Sequence, residues 1–207
     1  MTPNSYPDAL APAQRLVHRL QVMEAHYRHI ATTRMAGMPL LHPGLRVQAL
    51  GFELQPAMVQ ENERLPWACG VLVTPWFMNL VRLPLLRQDA VAAVTAGWLA
   101  AGERAWRRLG GHELDFIGAF EGSGMAGELG ALEVCSLFSP MQGFADHGAA
   151  VATGLEVLRQ LRQAPMAGAA APATPAATAL PPPALPPVPA RRGFLLGRSA
   201  LGPQGSA

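Results

Sequence analysis

A chain of 207 residues, half of them hydrophobic and with a net charge of +2, is long enough for one domain with a real core and lacks the dense basic stripe of a nucleic-acid binder. Its only cysteines, Cys69 and Cys135, lie far apart without a C-x-x-C spacing, so they support neither a metal site nor a disulfide framework and read as small buried hydrophobes of a reducing compartment. No apolar signal-peptide run opens the chain, and its most apolar window, 67–81, is interrupted by Pro75 and falls short of the ~20 residues a spanning helix needs.

The spacing predicts a first helix from about Pro12 to Met35. Leu16, Leu20, Met23, Tyr27 and Ile30 recur on one face, while Arg15, Arg19, Glu24 and Arg28 read as its wet side. Gly37, Pro39, Pro43 and Gly44 then forbid further helix. Residues 45–55 alternate as a strand and change phase at Gly51, the mark of a bulge. Residues 67–74 and 76–83 read as two buried strands separated at Pro75, and the Ala-rich stretch 88–101 as a short helix weakened by Gly97. Gly110-Gly111 between 103–109 and 112–120 signals a hairpin. A Gly-rich connection, 121–129, leads into a strand over 130–138.

Ser139-Pro140-Met141-Gln142 has the form of a capping box, with Ser139 as N-cap, Pro140 at N1 and Gln142 at N3. It predicts a second long helix reaching about Arg162, with Phe144, Gly148, Val151, Leu155 and Leu158 on one face. After Gln163 charge and periodicity vanish into a run of Pro and Ala that cannot build a core. The expected organisation is a globular domain over 1–163, a Pro/Ala-rich linker over 164–190 and a tail over 191–207. The expected fold is α+β: a two-layer sandwich in which an N-terminal and a C-terminal helix pack an antiparallel sheet, followed by a disordered tail.

No catalytic constellation emerges, and no cofactor or metal is expected. His26 and His29 lie three apart on the first helix without a partner motif, which favours a solvated helix edge over a metal site. Asp146 and His147 are adjacent, so the carboxylate cannot orient its neighbour's ring, and both read as helix surface. Gly122, Gly124 and Gly127 belong to neither a nucleophile elbow nor a phosphate loop and serve as turn residues. Binding remains. Trp67, Trp76, Phe77, Phe138, Met141 and Phe144 cluster around strand ends and the start of the second helix. Most fill the core, and Trp76, Phe77, Phe138, Met141 and Phe144 are the candidates for lining an apolar peptide groove.

The stretches MPLLHPGLRVQALGF (38–52), GVLVTPWFMNLVRLP (70–84), ELDFIGAFEG (113–122) and LEVCSLFSPMQGFADHGAA (132–150) resemble the HybE family of [NiFe]-hydrogenase assembly chaperones, including its HupJ/HoxT-type branch. The resemblance covers most of the globular part and extends to the RRGFLLGR tail. It implies a non-enzymatic cytoplasmic maturation factor acting on the precursor of the small, iron–sulfur hydrogenase subunit and its twin-arginine signal. A scaffold that docks a rubredoxin-like electron carrier is the alternative; the chain itself has no rubredoxin cysteine pairs. No nucleic-acid partner and no membrane insertion are expected. The Ala-rich stretch 88–101 and the long linker depart from the family pattern.

The tail adds one more expectation. Arg191-Arg192-Gly193-Phe194-Leu195 has the form of a twin-arginine motif placed where it cannot open a signal peptide, with Ala190 at the position usually polar. It reads as a tethered mimic of the cargo's signal, with a docking tag or a solvated basic tail as alternatives.

Overall fold

The computed structural model describes residues 11–55, 66–86, 90–95, 97–122 and 129–163. Helix α1 (Pro12–Thr32) precedes strands β1 (Gln48–Gln55), β2 (Trp67–Val73) and β3 (Met78–Pro84), and a short helix α2 (Ala90–Thr95) follows. The chain continues through β4 (Arg104–Leu109), β5 (His112–Glu121) and β6 (Gly130–Phe138) into helix α3 (His147–Arg162). The six strands form one sheet in the order β1-β2-β3-β6-β5-β4, and every neighbouring pair is antiparallel. This is the expected α+β fold, an antiparallel sheet packed by an N-terminal and a C-terminal helix, but in three layers rather than the expected two.

The two helices take opposite faces. Val71, Val73, Met78 and Leu80 point to a core completed by Ala150, Leu158 and Leu161 of α3. Leu72, Val81 and Leu83 point the other way, onto Met23, Tyr27 and Ile30 of α1. Every residue of β2 is therefore buried, which explains why WACGVLV reads as an unbroken apolar run rather than an alternating one. The phase change in β1 is a bulge, as expected. Its register shifts between Leu50 and Glu53, and Gly51 sits at φ 53° with Leu158 Cδ1 2.7 Å from where a Cβ would stand. The β4–β5 hairpin turns at Gly110, whose φ of 60° suits glycine.

The start of α3 departs from the expected capping box. The helix begins at His147, and its N-cap is Asp146, whose carboxylate accepts from the Ala149 N–H at 2.8 Å. Ser139 and Gln142 are occupied elsewhere: the Ser139 hydroxyl donates to Trp76 O at 3.5 Å and the Gln142 amide to Leu40 O at 2.8 Å. The chain uses 139–146 to cross the end of the sheet before it coils, and Asp146 is the first residue with both a side-chain acceptor and a free helical run ahead. The buried stripe shifts accordingly to His147, Ala150, Gly154, Leu158 and Leu161. Leu155 is left 46% exposed, and Phe144 lies before the helix.

Helix α1 ends at Thr32, short of Met35, and its buried stripe includes two polar residues assigned above to the wet side. Arg19 turns inward to donate to the carbonyls of Pro84 at 3.0 Å and Leu129 at 2.8 Å. His26 is buried as well. A further polar group lies on the α3 side of the sheet. Glu133, fully buried on β6, accepts from Arg82 of β3, from Arg107 of β4 at 2.8 Å and from the Leu99 N–H at 3.0 Å. The Arg82 guanidinium also lies 4.4 Å from the Trp67 ring centroid and 5.3 Å from that of Trp98.

Candidate functional site

The five candidate groove residues meet at one end of the sheet but are divided between its faces. Trp76 and Phe77 occupy the β2–β3 turn, where the Thr74 hydroxyl oxygen accepts from both of their N–H groups, at 3.3 and 3.0 Å. That turn aims their rings at α1. Tyr27 stands edge-on to Phe77 at 5.6 Å and tilted to Trp76 at 6.4 Å, and Trp76 and Phe77 meet at 5.4 Å. Met141 is fully buried in the α3-side core, against which Phe144 also packs. Phe138, at the end of β6, meets Phe144 edge-on at 5.3 Å and remains 39% exposed. Trp76 and Phe77 thus line a groove, whereas Met141 is core. Arg191, Arg192, Phe194 and Leu195 lie outside the described residues, as do Gly124 and Gly127.

The groove has a volume of about 280 Å³ and runs between α1 and the part of the sheet that α1 leaves uncovered. Tyr27 and Ile30 form one wall, Trp76 and Phe77 one end, and Ala119 and Val134 the floor. Polar groups also reach it: Glu121 at the end of β5, Asn79 on β3 and Arg34 just past α1. The Asn79 Oδ1 atom is buried and accepts no hydrogen bond among the described residues. Glu121 is held by His26, Nε2 to Oε2 at 3.1 Å. Burial, reinforced by Glu121, pushes the Tyr27 phenol well above its usual range, so it stays protonated at neutral pH.

Sequence reasoning missed Glu121, Asn79 and the burial of His26. The helical spacing carried a signal for the last: residues 23, 26, 27 and 30 form one stripe, and His26 belongs to it. His29, by contrast, is only half-buried, and no three metal-ligating side chains gather among the described residues. His147 is also not helix surface. It is 7% exposed, its Nε2 contacts Gln48 Oε1 at 2.7 Å, and its Nδ1 faces the Arg46 N–H at 3.5 Å. Burial, then the Arg46 charge, holds its pKa below the usual histidine value. Cys69 is buried as expected, and burial pushes its thiol up to about 12, which leaves it inert. Cys135 is only half-buried. No helix among the described residues is long and apolar enough to cross a membrane.

Rings, one carboxylate and one amide oxygen thus lie along an open groove. Residues 18–197 match the family model described as [NiFe]-hydrogenase assembly, chaperone, HybE, and the chain belongs to that family of hydrogenase assembly chaperones. It is similar to the protein HoxT of Cupriavidus necator, with 40% identity over 191 residues, 89% of this chain and 92% of that one. It is also similar to the hydrogenase expression/formation protein HoxT of Azotobacter vinelandii, with 35% identity over 89% of this chain and 94% of that one. The solution structure of HybE from Escherichia coli matches with a TM-score of 0.43 and 18% identity, over 74% of this chain and 86% of that one.

Proposed function

We propose that this chaperone acts in the cytoplasm on the small, iron–sulfur subunit precursor of an exported [NiFe] hydrogenase, and that it holds the precursor by its twin-arginine signal. The observation that carries the reading is the groove bordered by Tyr27, Trp76 and Phe77 with the Glu121 carboxylate at its edge. Arginines form charge-assisted hydrogen bonds with carboxylates, and the apolar residues that follow them in such a signal suit an aromatic wall. The protein works by binding and performs no bond chemistry of its own.

Calorimetry with two cargo forms tests the reading. The signal-bearing precursor is expected to bind at least tenfold more tightly than the mature subunit. Equal affinity for the two, together with saturable binding of a rubredoxin, would replace this reading with the electron-carrier scaffold. The segment Arg191-Arg192-Gly193-Phe194-Leu195 offers the same side-chain order as a signal. In this reading it competes with incoming cargo, because a tether raises its effective concentration. The full chain carrying Arg191→Lys, Arg192→Lys and Phe194→Ala is then expected to bind a free signal peptide more tightly than the natural chain. Unchanged or weaker binding would end the mimic idea.

A further inference from the structure

We infer that the cleft between α1 and the start of β1 is a second docking site, and that it takes a carboxylate-rich extended segment of a partner protein through Arg28 and Arg46. It lies on the flank of α1 away from the aromatic groove and goes beyond the signal-binding reading. A chaperone built this way holds an acidic partner without giving up its groove.

The sheet order leaves β1 at an edge, paired only with β2. Two of its outward backbone groups are closed to a further strand. The Ala49 N–H donates to Glu24 Oε1 of α1 at 2.8 Å, and the Gly51 carbonyl accepts from Arg162 of α3. One side chain from each helix thus guards the edge, so a segment docking beside it is read by side chains rather than by backbone pairing. Room for one remains. A cleft of about 580 Å³ is lined by Glu24, Arg28, Arg46, Val47 and Gln48, which falls within the ~300–1,000 Å³ of ligand clefts.

This cleft is short of acceptors. Glu24 is its one carboxylate, and both oxygens are engaged, Oε1 by Ala49 and Oε2 by Arg28. Arg28 still keeps 56% of its side chain exposed. Arg46 is exposed as well, and its guanidinium has no hydrogen-bond or ion-pair partner among the described residues. Gln48 adds a donor. Because His147 Nδ1 faces the Arg46 N–H, its Nε2 carries the ring proton and donates to Gln48 Oε1, which leaves the amide NH2 end of Gln48 for the cleft. One cation comes from each wall, Arg28 from α1 and Arg46 from the chain entering β1. Two guanidinium groups and an amide against one engaged carboxylate select a ligand rich in carboxylates. A basic segment is repelled, and an uncharged one leaves both cations unpaired.

The test uses the full-length chain at low salt. The probes are two capped peptides, Ser-Glu-Asp-Glu-Ser and Ser-Gln-Asn-Gln-Ser, followed by NMR titration. The acidic peptide is expected to bind about tenfold more tightly, and its affinity to fall as salt rises. Arg46→Gln is expected to weaken it about fivefold without moving the denaturation midpoint. Glu24→Gln keeps an acceptor for the Ala49 N–H and removes the one negative charge, so it is expected to strengthen binding about twofold or more. Opposite signs at these two neighbours are not what a merely structural role gives. Alternate N-methylation of the peptide backbone is expected to change nothing, since the edge is closed.

Four results overturn the inference. The amide peptide binds equally well, or the acidic peptide ignores both substitutions. N-methylation abolishes binding, which would mean strand addition. Inorganic phosphate alone matches the peptide, which would make the cleft a site for free anions. Phe77→Leu in the aromatic groove weakens the acidic peptide as much as Arg46→Gln does, which would merge the two sites into one.

Discussion

The strands β1–β3 and the hairpin β4–β5 belong to one sheet, yet they are built on different terms. β2 is buried at all seven positions because α1 covers one face and α3 the other. β4 alternates exposed and half-buried residues, and its outward set, Arg104, Trp106 and Arg108, stands on the α1 side of the sheet but beyond the strands that helix covers. The pairing shows this: Ala105 lies opposite Phe116, a core residue of the α3 side, while Trp106 lies opposite Asp115 on the other face. Two-sided cover turns a strand into a solid apolar run, and one-sided cover restores the two-residue period. The groove opens where the first regime passes into the second, between α1 and the part of the sheet it leaves bare.

The largest expected effect lies where the halves are joined. Glu133 accepts from Arg82 of the covered half and Arg107 of the open half. Glu133→Gln leaves two guanidinium groups facing a neutral amide in the interior, and removing one partner of a buried ion network costs about 3–5 kcal/mol. Glu113→Gln, by contrast, breaks a pair with Arg108 whose side chains are 64% and 68% exposed, and such pairs contribute about 0–1 kcal/mol. Urea denaturation of the two variants measures the ratio. Similar losses would mean that the two regions do not differ as described.

Next in size is the cap of α3. Asp146→Ala removes the acceptor for the Ala149 N–H and is expected to cost about 1 kcal/mol. Ser139→Ala, which the sequence pattern marks as the damaging change, is expected to cost clearly less, because its hydroxyl makes only a 3.5 Å contact with Trp76 O. A reversed order of denaturation midpoints would return the helix start to Ser139.

These two positions show what the sequence could reveal. Strand identity was legible wherever cover is uniform or a turn residue marks the boundary. β6 matches its expected span, and the Gly110-Gly111 hairpin and the Gly51 bulge fall where glycine placed them. The rings of Trp76 and Phe77 were legible as groove candidates from residue type alone. What stayed hidden depends on partners distant in sequence. Arg19 is buried because carbonyls 65 and 110 residues away need donors, and Glu121 borders the groove because His26, 95 residues away, holds it there. Capping boxes are local patterns, and Ser139-Pro140-Met141-Gln142 satisfies one locally while the path around the sheet end delays the helix.

A smaller effect tests the covered side through pH. His147 sits neutral between Gln48 and Arg46, and burial followed by the Arg46 charge lowers its pKa from 6.5, with Asp146 pulling weakly the other way. The unfolded chain therefore binds the proton first as pH falls. The stabilisation is complete above about pH 6.5 and is lost progressively as pH drops through the lowered folded value. Denaturation midpoints measured between pH 7.5 and pH 5 are expected to fall more steeply for the natural chain than for His147→Gln. Parallel profiles would mean that the ring is not held neutral.

The smallest effect is expected at the most conspicuous residue. Trp106 is 70% exposed, and a tryptophan of that exposure on an edge strand has little packing to lose. Arg104 and Arg108 flank it, and the ion pairs they form with Asp115 and Glu113 cross to the neighbouring strand, so the charged rim of β4 is built from its neighbours rather than from the indole. Edge strands commonly carry such charges, which discourage pairing with foreign strands. The inward set, Ala105, Arg107 and Leu109, carries the contribution of β4 to stability, through the α3-side core and Glu133. Trp106→Ser is therefore expected to shift stability by no more than about 0.5 kcal/mol, with an unchanged denaturant slope. A loss above about 1.5 kcal/mol, on the scale of burying a large apolar side chain, would mean that this face is covered in solution and that the contrast between the two halves is not real.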